Sequence, residues 1–233
     1  MKIAVINFSG NVGKSTVARH LLLPRIPGAE LIAIESLNAD EGQGQALRGR
    51  QFGELQEYLQ TVSSVVVDIG ASNVEELMAQ MQRYRGSHED FDGFVVPTVP
   101  ALKQQQDTIA TLIELSRLGV SASRLKLVFN MVESGDTVAQ AFDPLLAFLK
   151  QQQIARVNLN GKLGANEIYG RIKGMKTDLK TLATDPTDYK ALIAQAKDTT
   201  EKLALAQKLA TRRLASGVVP ELDACFAALE LNK

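Results

Sequence analysis

Short apolar runs alternate with longer amphipathic stretches over the first two thirds of the chain. Runs of this kind, rich in Val, Ile and Phe, indicate βαβ units and a parallel sheet. We predict strands at residues 2–7, 30–35, 64–68, 93–97, 125–130 and 156–159. Helices are predicted to begin near Lys14, Gln43, Val74, Leu102 and Thr137. Because the strands are apolar at consecutive positions, both of their faces should be buried, as in a doubly wound α/β fold.

From Glu167 onward the pattern is helical only. Residues 185–188, Asp-Pro-Thr-Asp, combine a capping carboxylate with a proline at the first helical position, which predicts a helix start. That helix should run towards residues 216–217, Ser-Gly, and a short last helix should follow at 220–231. We therefore predict an α/β core over residues 1–165, which contains the predicted sheet, and a C-terminal helical extension over 166–233 that packs on the core.

The composition is that of an ordinary globular protein, with 233 residues, 45% of them hydrophobic and 22% charged. Disordered, collagen-like and coiled-coil classes are excluded. The single cysteine, Cys225, lies at helical spacing from Leu222 and Leu229 and is predicted to be a buried thiol in a reducing compartment. No stretch approaches the roughly 20 apolar residues that span a bilayer, and the N-terminal apolar run is too short for a signal peptide. We expect a cytoplasmic protein without membrane contact.

The charges balance overall but not along the chain. Residues 150–233 carry 14 basic and 9 acidic side chains (+5), which leaves 12 and 17 (−5) for residues 1–149. On one helical wheel, at about 100° per residue, four cations of this basic end fall within about 60° of one another. They are Lys190, Lys197, Lys208 and Arg212, and Glu201 interrupts them. The stripe is either a solvated face or a surface for DNA phosphates.

The strongest motif follows the first predicted strand, at residues 7–16, NFSGNVGKST. Glycines let backbone N–H groups approach phosphate oxygens, and a helix that starts at Lys14 points its positive dipole end towards them. Lys14 would neutralise the β- and γ-phosphates, and the Ser15 hydroxyl would ligate Mg²⁺. Phe8 stands where G-x-x-x-x-G-K-[ST] has its first glycine. The predicted nucleotide contacts are Ser9, Gly10, Asn11, Val12, Gly13, Lys14, Ser15 and Thr16.

The run N-x-x-G-x-V-G-K-S-T resembles the deviant Walker A loop of the ParA/MinD ATPases, and the resemblance covers about residues 1–160. It implies ATP and Mg²⁺ as ligands. Asp68, at a predicted strand end, matches the family's aspartate at the Mg²⁺ shell, and Asn130 matches the asparagine that reads adenine. Residues 92–100 resemble the family's strand that ends in a proline. The tail segments at 163–167, 185–189 and 220–226 look most like StbB-type stability proteins of conjugative plasmids.

Physical reasoning leaves alternatives for both of these strand ends. Asp68 lies where ligands bind in open α/β sheets, although a structural turn also explains an aspartate before Gly70. Asn130 could cap a local turn. The segment from Asn130 also resembles the guanine-reading N-K-x-D motif, but the lysine is missing, which favours adenine. The histidines His20 and His88 have no partner at metal-ligand spacing.

The chain departs from the family pattern in two places. Ser9 occupies the position of the signature lysine, which in the family reaches across a nucleotide-sandwich dimer. In the predicted switch I, Glu35 or Asp40 would orient the attacking water; we assign Glu35, with Lys14 and Asp68, to catalysis. Nucleotide binding is therefore better supported than rapid hydrolysis.

The resemblance implies an ATP-dependent homodimer that acts with a DNA-bound adaptor in plasmid stability, partition or positioning. Two other classes stay open. One is a nucleotide-binding adaptor that does not hydrolyse, which Ser9 favours. The other is a P-loop enzyme that transfers phosphate to a small molecule.

Overall fold

A six-stranded sheet forms the centre of the protein, and every neighbouring pair of its strands is parallel. This computed structural model describes residues 1–34, 49–175 and 177–231, apart from the side chains of residues 49 and 50. The strands lie in the order β2-β3-β1-β4-β5-β6. They are β1 (Lys2–Val5), β2 (Glu30–Ile34), β3 (Val65–Ile69), β4 (Gly93–Thr98), β5 (Leu125–Val132) and β6 (Lys162–Gly164). The predicted doubly wound parallel fold is confirmed.

Ten α-helical segments flank or follow the strands in the described residues. They are α1 (Lys14–Thr16), α2 (Gly49–Thr61), α3 (Val74–Arg83), α4 (Leu102–Arg117), α5 (Val138–Ala141), α6 (Asp143–Gln152), α7 (Ile168–Arg171), α8 (Leu179–Ala183), α9 (Tyr189–Gln195) and α10 (Thr199–Leu229). A π-helical stretch, Val17–Leu22, continues α1. The starts predicted near Lys14, Val74, Leu102 and Thr137 agree with this within a residue, and the start near Gln43 lies outside the described residues. No helix in the described ranges is both long and apolar enough to cross a membrane.

Strand β1 is the point at which the strand order reverses, because β2 and β3 lie on one side of it and β4 to β6 on the other. Ligands of open α/β sheets bind beyond the carboxyl ends of the strands at such a point. The loop that leaves β1 after Val5 therefore occupies the ligand-binding position of the fold. The neighbouring strand β3 is buried, since Val65, Val66 and Val67 have no exposed surface.

The sixth strand is displaced from its predicted position at residues 156–159, which was wrong. Arg156 makes only an isolated bridge to Lys126, and β6 begins at Lys162. Val157 and Leu159 of the predicted strand are 39% and 43% exposed. A turn closed by a 2.9 Å bond from the Gly161 N–H to the Asn158 carbonyl separates this segment from β6.

The predicted helix break at residues 216–217 was also wrong, because α10 continues through Gly217 and Pro220. A proline inside a helix removes one hydrogen bond and favours a kink. Val218 and Leu222, on either side of Pro220, are both 1% exposed, so apolar burial continues across this position and offsets the local loss. The preceding helix begins at Tyr189, where Asp188 rather than Asp185 caps it by accepting from the Ala191 N–H at 3.0 Å.

The chain forms two compact units. The first contains the sheet and comprises Met1–Ala165 and the C-terminal segment that starts at Cys225; the second is Asn166–Ala224. The C-terminal segment groups with the sheet because Asn158 Nδ2 donates to the Ala228 carbonyl at 3.0 Å and Lys126 Nζ to the Glu230 carbonyl at 3.3 Å. Residue 165 thus ends the first stretch of the sheet unit, whereas the predicted extension had included the C-terminal segment. Cys225 is fully buried.

Truncation of a core side chain should destabilise the protein much more than truncation of an exposed one. Phe129 of β5 is fully buried, with its ring centroid 4.9 Å from that of Phe142. We expect Phe129→Ala to lower the free energy of unfolding by about 3–5 kcal/mol through lost burial and a residual cavity. Leu102, which is 57% exposed, provides the control, since Leu102→Ala should change it by less than about 1 kcal/mol. Equal losses for the two variants, measured by urea denaturation, would contradict the assignment of the core.

Candidate functional site

The loop between β1 and α1 has the backbone of an anion-binding turn. Asn11 and Gly13 adopt left-handed conformations, with φ of 57° and 86°. Asparagine and glycine are the residues that tolerate this region best. A bond of 2.9 Å from the Val17 N–H to the Gly13 carbonyl then starts the helix. Turns that combine left- and right-handed residues direct successive N–H groups into one concavity, which is a binding site for phosphate.

Gly13 is required here for two reasons. Its positive φ strains any other residue, and a Cβ atom at this position would lie 2.1 Å from Asn130 Nδ2. Gly10 differs, because a Cβ there would have no protein atom within 4 Å. The space beside Gly10 is therefore open to a ligand, whereas Gly13 is packed against β5.

Lys14 is held inside the loop. Its side chain is 8% exposed, and Nζ donates to the carbonyl oxygens of Ser9 at 2.6 Å and Asn7 at 3.1 Å. Burial lowers the pKa of Lys14 from its ordinary value of 10.5, and the negative charge of Asp68 partly opposes this shift. The ammonium is thus fixed before any ligand arrives.

Asp68 lies near the end of β3, 4% exposed, and is in register with Val5 of β1 and Ala33 of β2. Helix α1 packs against β3, which brings the predicted metal ligand Ser15 to the same end of the sheet as Asp68. A hydroxyl and a carboxylate are oxygen donors of the kind that Mg²⁺ prefers. The residues present therefore fit a Mg²⁺-bound nucleotide.

Asn130 occupies a position that its predicted role as an adenine reader did not suggest. The side chain is 3% exposed, and Nδ2 donates to the Val12 carbonyl at 2.9 Å. A register shift in β5 and a left-handed Met131, with φ of 56°, follow at this strand end. In this structure the side chain of Asn130 is hydrogen-bonded to the loop at Val12. Its contact with adenine stays a prediction.

Sequence reasoning missed a second set of residues behind the loop. Asn7, Thr108 and Thr111 are all fully buried and hydrogen-bonded to one another or to the loop. The signal was present in the sequence, because Thr108 and Thr111 interrupt the apolar face of α4 at a spacing of three residues. Of the other predicted site residues, Ser9 is buried, Thr16 half-buried and Ser15 exposed, while Glu35 and its alternative Asp40 lie outside the described residues.

The two histidines are not part of this site. His20 lies in the π-helical stretch, where burial first and the neighbouring Arg19 second lower its pKa, so it is neutral at pH 7. No group of three or more potential metal-binding His, Cys, Asp or Glu side chains occurs within residues 1–34, 49–175 and 177–231.

The basic stripe does not lie on one helix, so the helical-wheel argument for it was wrong. Helix α9 ends at Gln195 and α10 begins at Thr199, which places Lys190 on one helix, Lys208 and Arg212 on the other, and Lys197 between them. The reason is the capped turn at residues 196–198, where Asp198 accepts from the Glu201 N–H at 2.8 Å.

Arg212 has a structural role in the second unit. Its guanidinium donates to the carbonyls of Asp185 at 3.1 Å and Thr187 at 2.6 Å, and its centre lies 5.2 Å from the ring centroid of Tyr189. Hydrogen bonds from the side chains of Thr187 and Tyr189 lower the pKa of Asp185 to about 2. DNA contact by the three lysines stays a prediction.

The sequence matches no protein-family model. No curated protein is significantly similar to it. Among solved structures, apo McdA from Cyanothece aligns with a TM-score of 0.52 at 13% identity over 93% of this chain and 99% of that one. The cell division protein MinD from Aquifex aeolicus aligns with a TM-score of 0.52 at 12% identity over 92% of this chain and 96% of that one. The chain therefore shares the fold of McdA and MinD.

The two loop glycines give a matched pair of variants. Gly13→Ala should lower the free energy of unfolding by at least about 2 kcal/mol, because the left-handed backbone is strained and the new methyl group overlaps Asn130. Gly10→Ala should change it by less than about 1 kcal/mol, since no atom lies near the new methyl group. Denaturation curves without nucleotide test this, and a tolerated Gly13→Ala would show that the loop has another conformation.

Proposed function

We propose that the chain is a ParA/MinD-like P-loop ATPase switch that binds ATP and Mg²⁺ at the loop before α1. The observation that carries this proposal is the position of Lys14. The carbonyls of Asn7 and Ser9 hold a buried ammonium inside the loop, and the negative charge of Asp68 acts on it, so a positive charge is in place before any anionic ligand binds. A nucleotide triphosphate supplies that anion.

Each residue of the site has a task in this proposal. Gly10 and Gly13 allow the backbone to approach the phosphates, Lys14 neutralises the β- and γ-phosphates, and Ser15 and Asp68 hold the metal. Mg²⁺, when bound, neutralises charge that develops on the transferred phosphate. Thr16 lies in the same first turn of α1 and completes the loop.

Two hydrogen bonds join the segment after β3 to the end of β2. The Gly70 N–H donates to the Ile34 carbonyl at 2.9 Å, and Asn73 Nδ2 donates to the same oxygen at 3.2 Å. The segment after Asp68 is thereby joined to the end of β2, which directly precedes the predicted switch I. A change at Asp68 therefore reaches both segments, which is the arrangement that a nucleotide-dependent switch needs.

We infer that the biological role is plasmid stability, partition or positioning. The supports are the loop and tail motifs that resemble ParA/MinD and StbB-type proteins, together with a fold shared with MinD, a cell division protein. In this role the ATP-bound chain forms a homodimer that engages a DNA-binding adaptor, and Lys190, Lys197 and Lys208 add weak, salt-sensitive contacts to DNA.

A second candidate function is favoured by Ser9. A serine supplies no positive charge to the phosphates of a partner subunit, so the chain could bind nucleotide as an adaptor without hydrolysing it. ATP consumption and phosphate release are measured alone, with DNA and with candidate small-molecule acceptors. The switch releases phosphate as it consumes ATP, the adaptor consumes no ATP, and a phosphotransferase consumes ATP with its acceptor without releasing phosphate.

The role of Lys14 is tested by Lys14→Gln, which removes the positive charge and keeps a polar, slightly shorter side chain. ATP affinity measured by calorimetry should fall by about 10- to 100-fold, because a charge-assisted hydrogen bond is lost. The protonated form of Lys14 binds ATP, and burial lowers the pKa of this group. As the pH rises, wild-type affinity should therefore begin to decline before the pH reaches 10.5. The variant should lack this decline, and unchanged affinity in a folded variant would refute the site.

The second test concerns turnover. Ser9→Lys should raise ATP-dependent dimerisation or basal hydrolysis, since charged clamps on a transferred phosphate are worth about 10³–10⁵ in rate. Ser9→Gln is the matched control, because it adds length without charge and should leave both quantities low. Sedimentation and phosphate release measure the two effects. Rapid hydrolysis by the wild type alone, with no effect of Ser9→Lys, would exclude the family's dimer geometry here.

A further inference from the structure

Asn7, two residues beyond the end of β1, connects three parts of the sheet unit. Asn7 is fully buried, and its Nδ2 donates to the Pro97 carbonyl at 2.9 Å and to Thr108 Oγ1 at 2.8 Å. Its Oδ1 accepts from the Ser9 N–H at 2.7 Å. Both donor hydrogens of the amide are therefore used, and one side chain joins the end of β4, helix α4 and the phosphate loop.

Helix α4 contributes two threonines to the same network. Thr108 and Thr111 have no exposed surface, and their hydroxyls donate to the carbonyls of their own helix at Gln104 and Asp107, at 2.7 and 2.8 Å. These bonds leave each oxygen as an acceptor towards the loop. Thr111 Oγ1 accepts from the Phe8 N–H at 3.0 Å, as Thr108 Oγ1 accepts from Asn7.

Two consecutive amides of the phosphate loop, those of Phe8 and Ser9, are thus bound by side chains behind the loop. The carbonyls of Asn7 and Ser9 face the other way and accept from Lys14 Nζ. The position of the Lys14 ammonium therefore depends on bonds that begin on α4. Buried polar networks of this kind are strong when complete, and a single unpaired member is costly.

We propose that Asn7, Thr108 and Thr111 are positioning residues of the phosphate loop, and that α4 responds to the nucleotide through them. The proposal rests on the function proposed above, because it concerns the same loop. When the loop closes on a phosphate, the Phe8 amide keeps its bond to Thr111, and Asn7 its bond to Thr108, only if α4 follows them. A movement of the loop therefore displaces α4, including its exposed residues Leu102 and Lys103.

Three variants separate positioning from packing. Thr111→Val keeps the shape of the side chain but leaves the Phe8 N–H without a partner. Thr111→Ser keeps the hydroxyl and loses one methyl group. Thr211→Val is the control, because Thr211 is a buried threonine of the second unit whose hydroxyl donates to Gln207 of its own helix at 2.9 Å. Circular dichroism melting curves establish that each variant is folded at the assay temperature.

We expect Thr111→Val to weaken ATP binding at least about tenfold in calorimetry, whereas Thr111→Ser and Thr211→Val stay within about threefold of the wild type. A folded Thr111→Val with wild-type affinity, or a Thr111→Ser that is equally impaired, would overturn the positioning role. Hydrogen exchange supplies the second readout. ATP should slow exchange across residues 105–112 of α4 in the wild type and in Thr111→Ser, but not in Thr111→Val. An α4 that responds equally in all variants, or in none, would refute its coupling to the nucleotide.

Exchange without nucleotide distinguishes failure of this inference from failure of the proposed function. Wild-type protein that binds no ATP refutes the function. Even then, the Phe8 amide should exchange faster in Thr111→Val than in the wild type and Thr111→Ser, because its acceptor is lost. Equal exchange rates in all three proteins would show that α4 does not hold the loop.

Discussion

The buried ammonium of Lys14 is the constraint on which the site depends. A cation in a dry environment is unfavourable unless it is hydrogen-bonded, and Lys14 obtains two bonds from the carbonyls of Asn7 and Ser9. Those carbonyls face Nζ only because the loop turns sharply, with left-handed residues at Asn11 and Gly13. This turn requires Gly13, because a side chain at that position would overlap Asn130. The conformation of each residue in the loop is therefore coupled to the position of one charge.

Much of the fold could be predicted because burial leaves a clear pattern. Every residue of β3 and β4 is buried, so both faces of these strands are covered and consecutive apolar residues mark them in the sequence. The loop between β1 and α1 could be located because its glycines, Lys14 and Ser15 directly follow the first apolar run. The position of Asp68 near the carboxyl end of β3 could also be predicted, because the end of a buried apolar run is visible in the sequence.

The errors occur where distant residues decide a local structure. Gly217 and Pro220 favour a break, but α10 buries Val218 and Leu222 and continues. Arg212 looked like one member of a basic stripe, although backbone carbonyls at Asp185 and Thr187 bind its guanidinium. Asn130 matched a base reader by position, yet its nearest acceptor is the Val12 carbonyl, 118 residues away along the chain. No local pattern contains such partners.

The loop is fixed by groups from β1, β3, α4 and β5, which lie far apart in sequence and meet only because the strands are parallel and β1 is central. Few of these contacts demand a particular residue. A buried strand needs apolarity rather than one side chain, and a hydroxyl behind the loop can come from serine or threonine. A fold held in this way can persist while most of its residues change. Identities of 12–13% to MinD and McdA over nearly the whole chain are what such loose requirements permit.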